Sequence, residues 1–105
     1  MGYCGLDKIN FANRTAELSI LMFKDYQKQG IGKSAVYQLL LKAFNEFNLN
    51  LIFAETYDID NRIYFFQQCG FVLEGRLRDR KFTDGNYYDS FMLSIKKEDI
   101  KDDNP

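Results

Sequence analysis

The chain contains no histidine, and that absence removes more chemistry than any other feature of its 105 residues. Without an imidazole there is no histidine-assisted nucleophile and no histidine-containing zinc site. Two cysteines, Cys4 and Cys69, are too few for a four-thiolate zinc site or a disulfide framework, so a reducing cytoplasm is the expected compartment. A metal would have to rest on carboxylates alone, and no spacing of the EF-hand kind occurs, so no metal is expected. Proton transfer falls to Glu, Asp, Tyr, Cys, Lys or water. No apolar run approaches the length that spans a bilayer. Met1-Gly2-Tyr3-Cys4-Gly5-Leu6 has neither a basic region nor a long apolar run, so no signal peptide is expected. Leu6 also stands where a myristoylation signal takes Ser or Thr. A net charge of −1 argues against a general binder of nucleic acid or membrane surfaces.

What is present describes one globular domain. The chain is 46% apolar and 16% aromatic, long enough for one core and too short for two. Tyr3 to Phe11 reads as a strand, and 12–14 as a turn. Thr15 to Phe23 alternates, with Ala16, Leu18, Ile20 and Met22 on one face and Glu17, Ser19, Leu21 and Phe23 on the other, which predicts an antiparallel hairpin. From Ile31, apolar residues at Ala35, Val36, Leu39, Leu40, Ala43, Phe44 and Phe47 predict a helix that ends before Asn48. Leu51 to Thr56 predicts a buried strand, joined to the second strand by a right-handed crossover as a parallel pair. A short helix capped from the 58–61 region runs to Cys69 and stops at Gly70. Phe71 to Leu77 and Tyr87 to Ile95 are strands around a polar connection with Asp84-Gly85 as its hairpin signal. Lys96 to Pro105 reads as a charged, frayed tail.

Between the second strand and the long helix lies Gln27-Lys28-Gln29-Gly30-Ile31-Gly32. First-turn amides have no acceptor within the helix, and the helix dipole favours negative charge there. Two glycines let a diphosphate approach the backbone. The same residues also suit a plain strand-to-helix turn. Gly32-Lys33-Ser34 resembles the end of a P-loop, but Gln27 stands where that motif needs its first glycine. A dinucleotide fingerprint fails for want of a third glycine.

Four segments together resemble the GNAT superfamily of acyl-CoA-dependent N-acetyltransferases over nearly the whole chain. They are Ala16 to Met22, Gln27-x-x-Gly30-x-Gly32, Gln68-Cys69-Gly70-Phe71, and Glu74 to Asp79 with Asp84-Gly85-x-Tyr87-Tyr88-Asp89. The last looks like the branch that acetylates ribosomal proteins, spermidine and diamines, or amino sugars. The resemblance implies an α/β fold with a mixed central sheet, two helices and a C-terminal β-hairpin. It implies residues 1–95 as one acetyl-CoA-binding acetyltransferase-like domain and 96–105 as the tail. Leu21, Met22 and Phe23 would pair with the pantetheine arm like an added strand. Lys28, Gln29, Gly30, Ile31, Gly32 and Lys33 would hold the pyrophosphate, with acetyl-CoA as co-substrate. Glu17 matches the position of a general base that would help a primary amine, whose ordinary pKa is near ~10, to lose a proton before attack. It also suits a solvated strand carboxylate, and Glu55 is a second candidate.

Three departures from the family pattern stand out. Phe66 occupies the place of the family's tyrosine general acid, and Tyr64 would lie on another helix face. Tyr57 and Cys69 are the remaining donors, or else core residues, and Cys69 is an alternative acyl carrier. The pantetheine-binding asparagine would fall at Ile59, so Asn61 serves only with a shorter loop and otherwise caps the helix. The family's first two strands and the helical lid between them have no counterpart here. Three readings suit this: a fragment of a longer chain, a short paralogue, or a sheet completed by association, the last leaving Tyr3 to Phe11 as an open edge with a homodimer as the expected state. Arg76, Arg78, Arg80 and Lys81 form a basic cluster that suits a phosphate, an acidic acceptor, or a hairpin balanced by its own acids. The expected reaction is direct acetyl transfer to a polyamine, amino sugar or protein N-terminus. The rival is a non-catalytic CoA-binding or assembly module; a small RNA-associated domain rests on the arginines alone and is opposed by the net charge.

Overall fold

The computed structural model describes residues 2–22, 29–57 and 62–100. Its elements are β1 (Gly2–Asn10), β2 (Thr15–Met22), α1 (Gln29–Asn45), β3 (Leu51–Tyr57), α2 (Ile63–Cys69), β4 (Val72–Thr83) and β5 (Asn86–Lys96). The five strands form one mixed sheet in the order β1-β2-β3-β5-β4. Only β2 and β3, joined through α1, run parallel; the other neighbours are antiparallel. This is the α/β architecture expected from the sequence. Among the described residues no helix is long and apolar enough to cross a membrane.

Period-2 alternation decides which sheet face meets the helices. Ala16 and Leu18 of β2, Ile52 and Ala54 of β3, and Leu93 and Ile95 of β5 are buried in one cluster with Val36, Leu40, Ala43 and Phe44 of α1. Phe65, Phe66 and Cys69 of α2 and Phe71 complete it. Full burial of each Leu, Ile or Val is worth about 1.5–3 kcal/mol, so this cluster sets the pose of both helices. Ala35 and Phe47, which the periodicity assigns to the stripe, are exposed: Ala35 lies beside the buried face and Phe47 falls after the last helical turn. The opposite sheet face carries Glu17, Ser19, Glu55 and Tyr57.

Two segments depart from the sequence reading. β4 runs to Thr83, not Leu77, so the arginine cluster lies in a strand. β3 pairs with β5 only as far as Ser90, so the far part of the β4–β5 hairpin has no third strand against it. Both of its faces meet solvent, and a register shift between Leu77 and Lys81 interrupts it, so no apolar alternation marks it. The turn itself is as expected, with Asp84 and Gly85 both at positive φ (52° and 79°). Residues 96–100 are tied down rather than frayed. Lys96 closes β5, its amide donates to Asp99 Oδ2 at 3.0 Å, a 3₁₀ turn covers Lys97–Asp99, and Ile100 packs on the core. The anchors are one aspartate and one isoleucine in an otherwise charged segment, so no periodicity marked it. Residues 101–105 lie outside the described ones.

Candidate active site

Parallel pairing between β2 and β3 covers only Thr15–Glu17 against Leu51–Phe53. Beyond it β2 continues to Met22 and β3 to Tyr57 without a shared ladder, while β1 keeps pairing with β2 up to Met22. The strands therefore splay and open a cleft of about 220 Å³. Glu17, Leu18 and Ser19 line one wall, Glu55, Thr56 and Tyr57 the other, with Arg62 and Phe66 at the α2 end.

Each wall has its own electrostatics. Glu17, its side chain 17% exposed, pairs with Lys8 Nζ at 3.2 Å. Lys8 sits at positive φ (49°) within the irregular stretch of β1 opposite Glu17. The Ser19 hydroxyl donates to Asp7 Oδ2 at 3.1 Å. Across the cleft, the fully buried Ser90 donates its hydroxyl to Glu55 Oε2 at 2.6 Å and holds that carboxylate on the open face. Thr56, 4% exposed, has a buried hydroxyl with no hydrogen-bond partner among the described residues. Such a group costs about 1–3 kcal/mol when left unsatisfied, which fits a wall made to meet a polar ligand.

The described residues separate the sequence candidates. Glu17 and Glu55 meet at the cleft. Leu21 and Met22 lie on the splayed end of β2. Gln29, Gly30, Ile31, Gly32 and Lys33 form the first turn of α1, which starts two residues before the first apolar residue of its stripe. Phe23, Lys28 and Asn61 lie outside the described residues, as do the 58–60 capping positions. Phe66 is buried, edge-on to Phe65 and Phe71 with ring centroids 5.6 and 5.2 Å away. Tyr64 is 63% exposed on another face of α2, where its oxygen accepts from Gln68 Nε2 at 2.8 Å. Cys69 is buried away from the cleft wall, and loss of hydration pushes its thiol up to about 11, the reverse of what a nucleophilic acyl carrier needs.

Within the basic cluster, Arg76 is engaged inside the hairpin and Lys81 reaches β3. Arg76 pairs with Asp89, whose carboxyl is held below its usual range by the Asp79 amide and then by Arg76. Lys81 Nζ lies 4.9 Å from the centroid of the Tyr57 ring. Sequence reasoning missed Thr56, Arg62 and Ser90. For Ser90 a signal was there, a small hydroxyl at the start of an apolar strand, but its carboxylate partner is 35 positions away.

A splayed parallel pair joined through a helix with two glycines in its first turn is the arrangement that the four motifs imply, and the domain comparison agrees: the acetyltransferase (GNAT) domain matches residues 1–92. The chain belongs to the GNAT acetyltransferase family. Among relatives of this GNAT chain, the spermidine N(1)-acetyltransferase of Vibrio cholerae is 29% identical over 97 residues, covering 90% of this chain and 56% of that protein. The putative ribosomal N-acetyltransferase YdaF of Bacillus subtilis is 27% identical, covering 91% and 53%. A dodecameric structure of the Vibrio cholerae spermidine N-acetyltransferase superposes with a TM-score of 0.79 at 28% identity, over 89% of this chain and 55% of that one. The chain thus spans about half the length of the relatives it matches.

Proposed function

We propose that this chain, as a single acetyl-CoA-binding acetyltransferase-like domain over residues 1–95, moves acetyl from acetyl-CoA to a primary amine by direct attack in the cytoplasm. The observation that carries this reading is the splayed β2–β3 cleft with a carboxylate on each wall. The fit to the co-substrate is supported by the unpartnered Thr56 hydroxyl on that wall. Leu21, Met22 and Phe23 offer backbone groups to the pantetheine arm. The amides from Lys28 to Lys33 face the pyrophosphate, and Asn61 is the remaining polar candidate beside the arm. Glu17 accepts the amine's proton, directly or through water. Glu17 and Glu55 on one face favour an acceptor with more than one positive charge. That points to a polyamine ahead of an amino sugar or a protein N-terminus, in line with the name of the Vibrio cholerae relative.

The test is release of free thiol from acetyl-CoA in the presence of spermidine, an amino sugar or a peptide with a free N-terminus. No release with any of them removes the enzymatic reading. Gly32→Val places a branched side chain where a phosphate must approach the first turn of α1. It is expected to weaken acetyl-CoA binding in calorimetry by about tenfold or more, the worth of roughly one charge-assisted hydrogen bond. Wild-type affinity in a folded Gly32→Val protein refutes the pyrophosphate assignment.

We also propose that the chain acts as a homodimer. β1 is an edge strand, and Ile9 near its end and Phe11 just after it are 40% and 66% exposed. Light scattering at micromolar concentration is expected to give about twice 12.4 kDa. A monomer mass with slow amide exchange in β1 contradicts that state.

A further inference from the structure

A thiolate that leaves in acetyl transfer is stabilised by a proton, and α2 offers none, because Phe66 fills its cleft-facing end. Resting on the acetyl-transfer reading, we infer that the phenol of Tyr57, on β3, is the proton donor to that thiolate. Tyr57 is half-buried and lines the cleft beyond the last β2–β3 pair. The other protic groups on the wall are ill-matched to the task. Glu17 and Glu55 are carboxylates already engaged, by Lys8 and by the Ser90 hydroxyl. Ser19 and Thr56 are alcohols, too weakly acidic to give up a proton, and a guanidinium such as that of Arg62 is no proton donor in this sense. A phenol, as a chemical class, has an acidity near ~10, close to the ~8.5 of a thiol, so transfer between them is nearly balanced. Cys69 and Tyr64 are directed elsewhere, as described above.

The surroundings suit a ring that becomes negative. Lys81, reaching from β4, holds its ammonium 4.9 Å from the ring centroid, an attraction that strengthens as the ring takes up charge. Facing the same region are Glu17 from β2, already paired with Lys8, and Glu55 from β3, already bonded to Ser90. Arg62 faces it from the α2 end, and Asp89 of β5 is engaged by Arg76 and the Asp79 amide. Lys81 is therefore the cation placed over the ring. In the step, the amine nitrogen bonds to the carbonyl carbon and the C–S bond breaks with its electron pair on sulfur. The phenol proton passes to sulfur, and the phenolate is reprotonated from solvent. The proton shed by the amine goes to Glu17 or water, so one proton leaves nitrogen and one arrives at sulfur.

Tyr57→Phe in the full chain removes only the hydroxyl and keeps the ring under Lys81. With acetyl-CoA and spermidine it is expected to lower kcat about 10²-fold at unchanged KM for acetyl-CoA. A second reading needs no turnover: ionisation of the thiol of bound CoA, followed by thiolate ultraviolet absorbance against pH. Loss of a hydrogen bond to the thiolate is expected to move that titration up by about one pH unit. A drop in kcat with no change in the CoA titration assigns Tyr57 a structural role and overturns the donor. Unchanged kcat and titration, in a chain whose wild type is active, overturn the donor and leave acetyl transfer standing. A wild-type chain that binds no CoA overturns both.

Discussion

Gly70→Ala is expected to lower the stability of the folded chain by about 2–4 kcal/mol, a large share of a small domain's total. Gly70 closes α2 at φ 111°, with its amide donating to the Gln67 carbonyl at 3.1 Å. Side chains rarely adopt that φ, and the strain alone costs about 1–3 kcal/mol. The added Cβ would also stand 2.3 Å from the Asp99 carbonyl oxygen and 3.2 Å from Ile95 Cδ1. A backbone oxygen cannot swing aside as a side chain does, so the Lys97–Asp99 turn and Ile100 must lift from the core. Gly85→Ala separates the two costs. Gly85 is also at positive φ (79°), but nothing lies within 4 Å of an added Cβ, so that variant carries the strain without the collision. Urea denaturation of both variants decides the matter. If Gly70→Ala loses no more than Gly85→Ala, the 97–99 turn does not pack where it is described.

Glu17→Gln is expected to reduce turnover by about 10²-fold near neutral pH. The amide keeps the size and polarity of the side chain but accepts no proton from an ammonium. An aliphatic amine, with its ordinary pKa near ~10, is almost wholly protonated at neutral pH. The deficit therefore narrows as pH rises and the free amine becomes common. Lys8, 3.2 Å from the Glu17 carboxylate, supplies the control. Lys8→Met removes the ion pair without removing the base, so it retains turnover far better than Glu17→Gln. A Glu17→Gln enzyme with the wild-type rate–pH profile takes Glu17 out of the mechanism.

The element order and the sheet class could be read before any coordinates, because each rests on local patterning, while the family came from the resemblance of four segments in their order. β2 alternates, α1 repeats at helical spacing through Val36, Leu40, Ala43 and Phe44, and Gly70-Phe71 marks a helix end that demands glycine. Glu17 was singled out through the family resemblance, which matches it to a general-base position; the strand pattern by itself suits a solvated carboxylate equally. The far half of β4 was not legible. Its residues are polar on both faces because no third strand covers them, so the usual alternation is missing.

What remained depended on residues distant in the chain that share a wall only once the sheet forms. Where β2 parts from β3 is a matter of register between strands separated by α1, and nothing in either strand announces that the ladder stops at Glu17 and Phe53. Ser90 holds Glu55 across 35 positions, and Lys81 of β4 covers the ring of Tyr57 on β3. A hydroxyl such as that of Thr56 is ordinary in a sequence and becomes informative only when burial removes its water. The sequence by itself determined the element order and the sheet class, because periodicity and glycine geometry are local, and its four motifs carried the family resemblance that singled out the candidate base. The tertiary structure alone decided where the cleft opens and that Glu55 and Tyr57, open candidates in the sequence, line it together with Glu17, because distance and solvation belong to the folded chain.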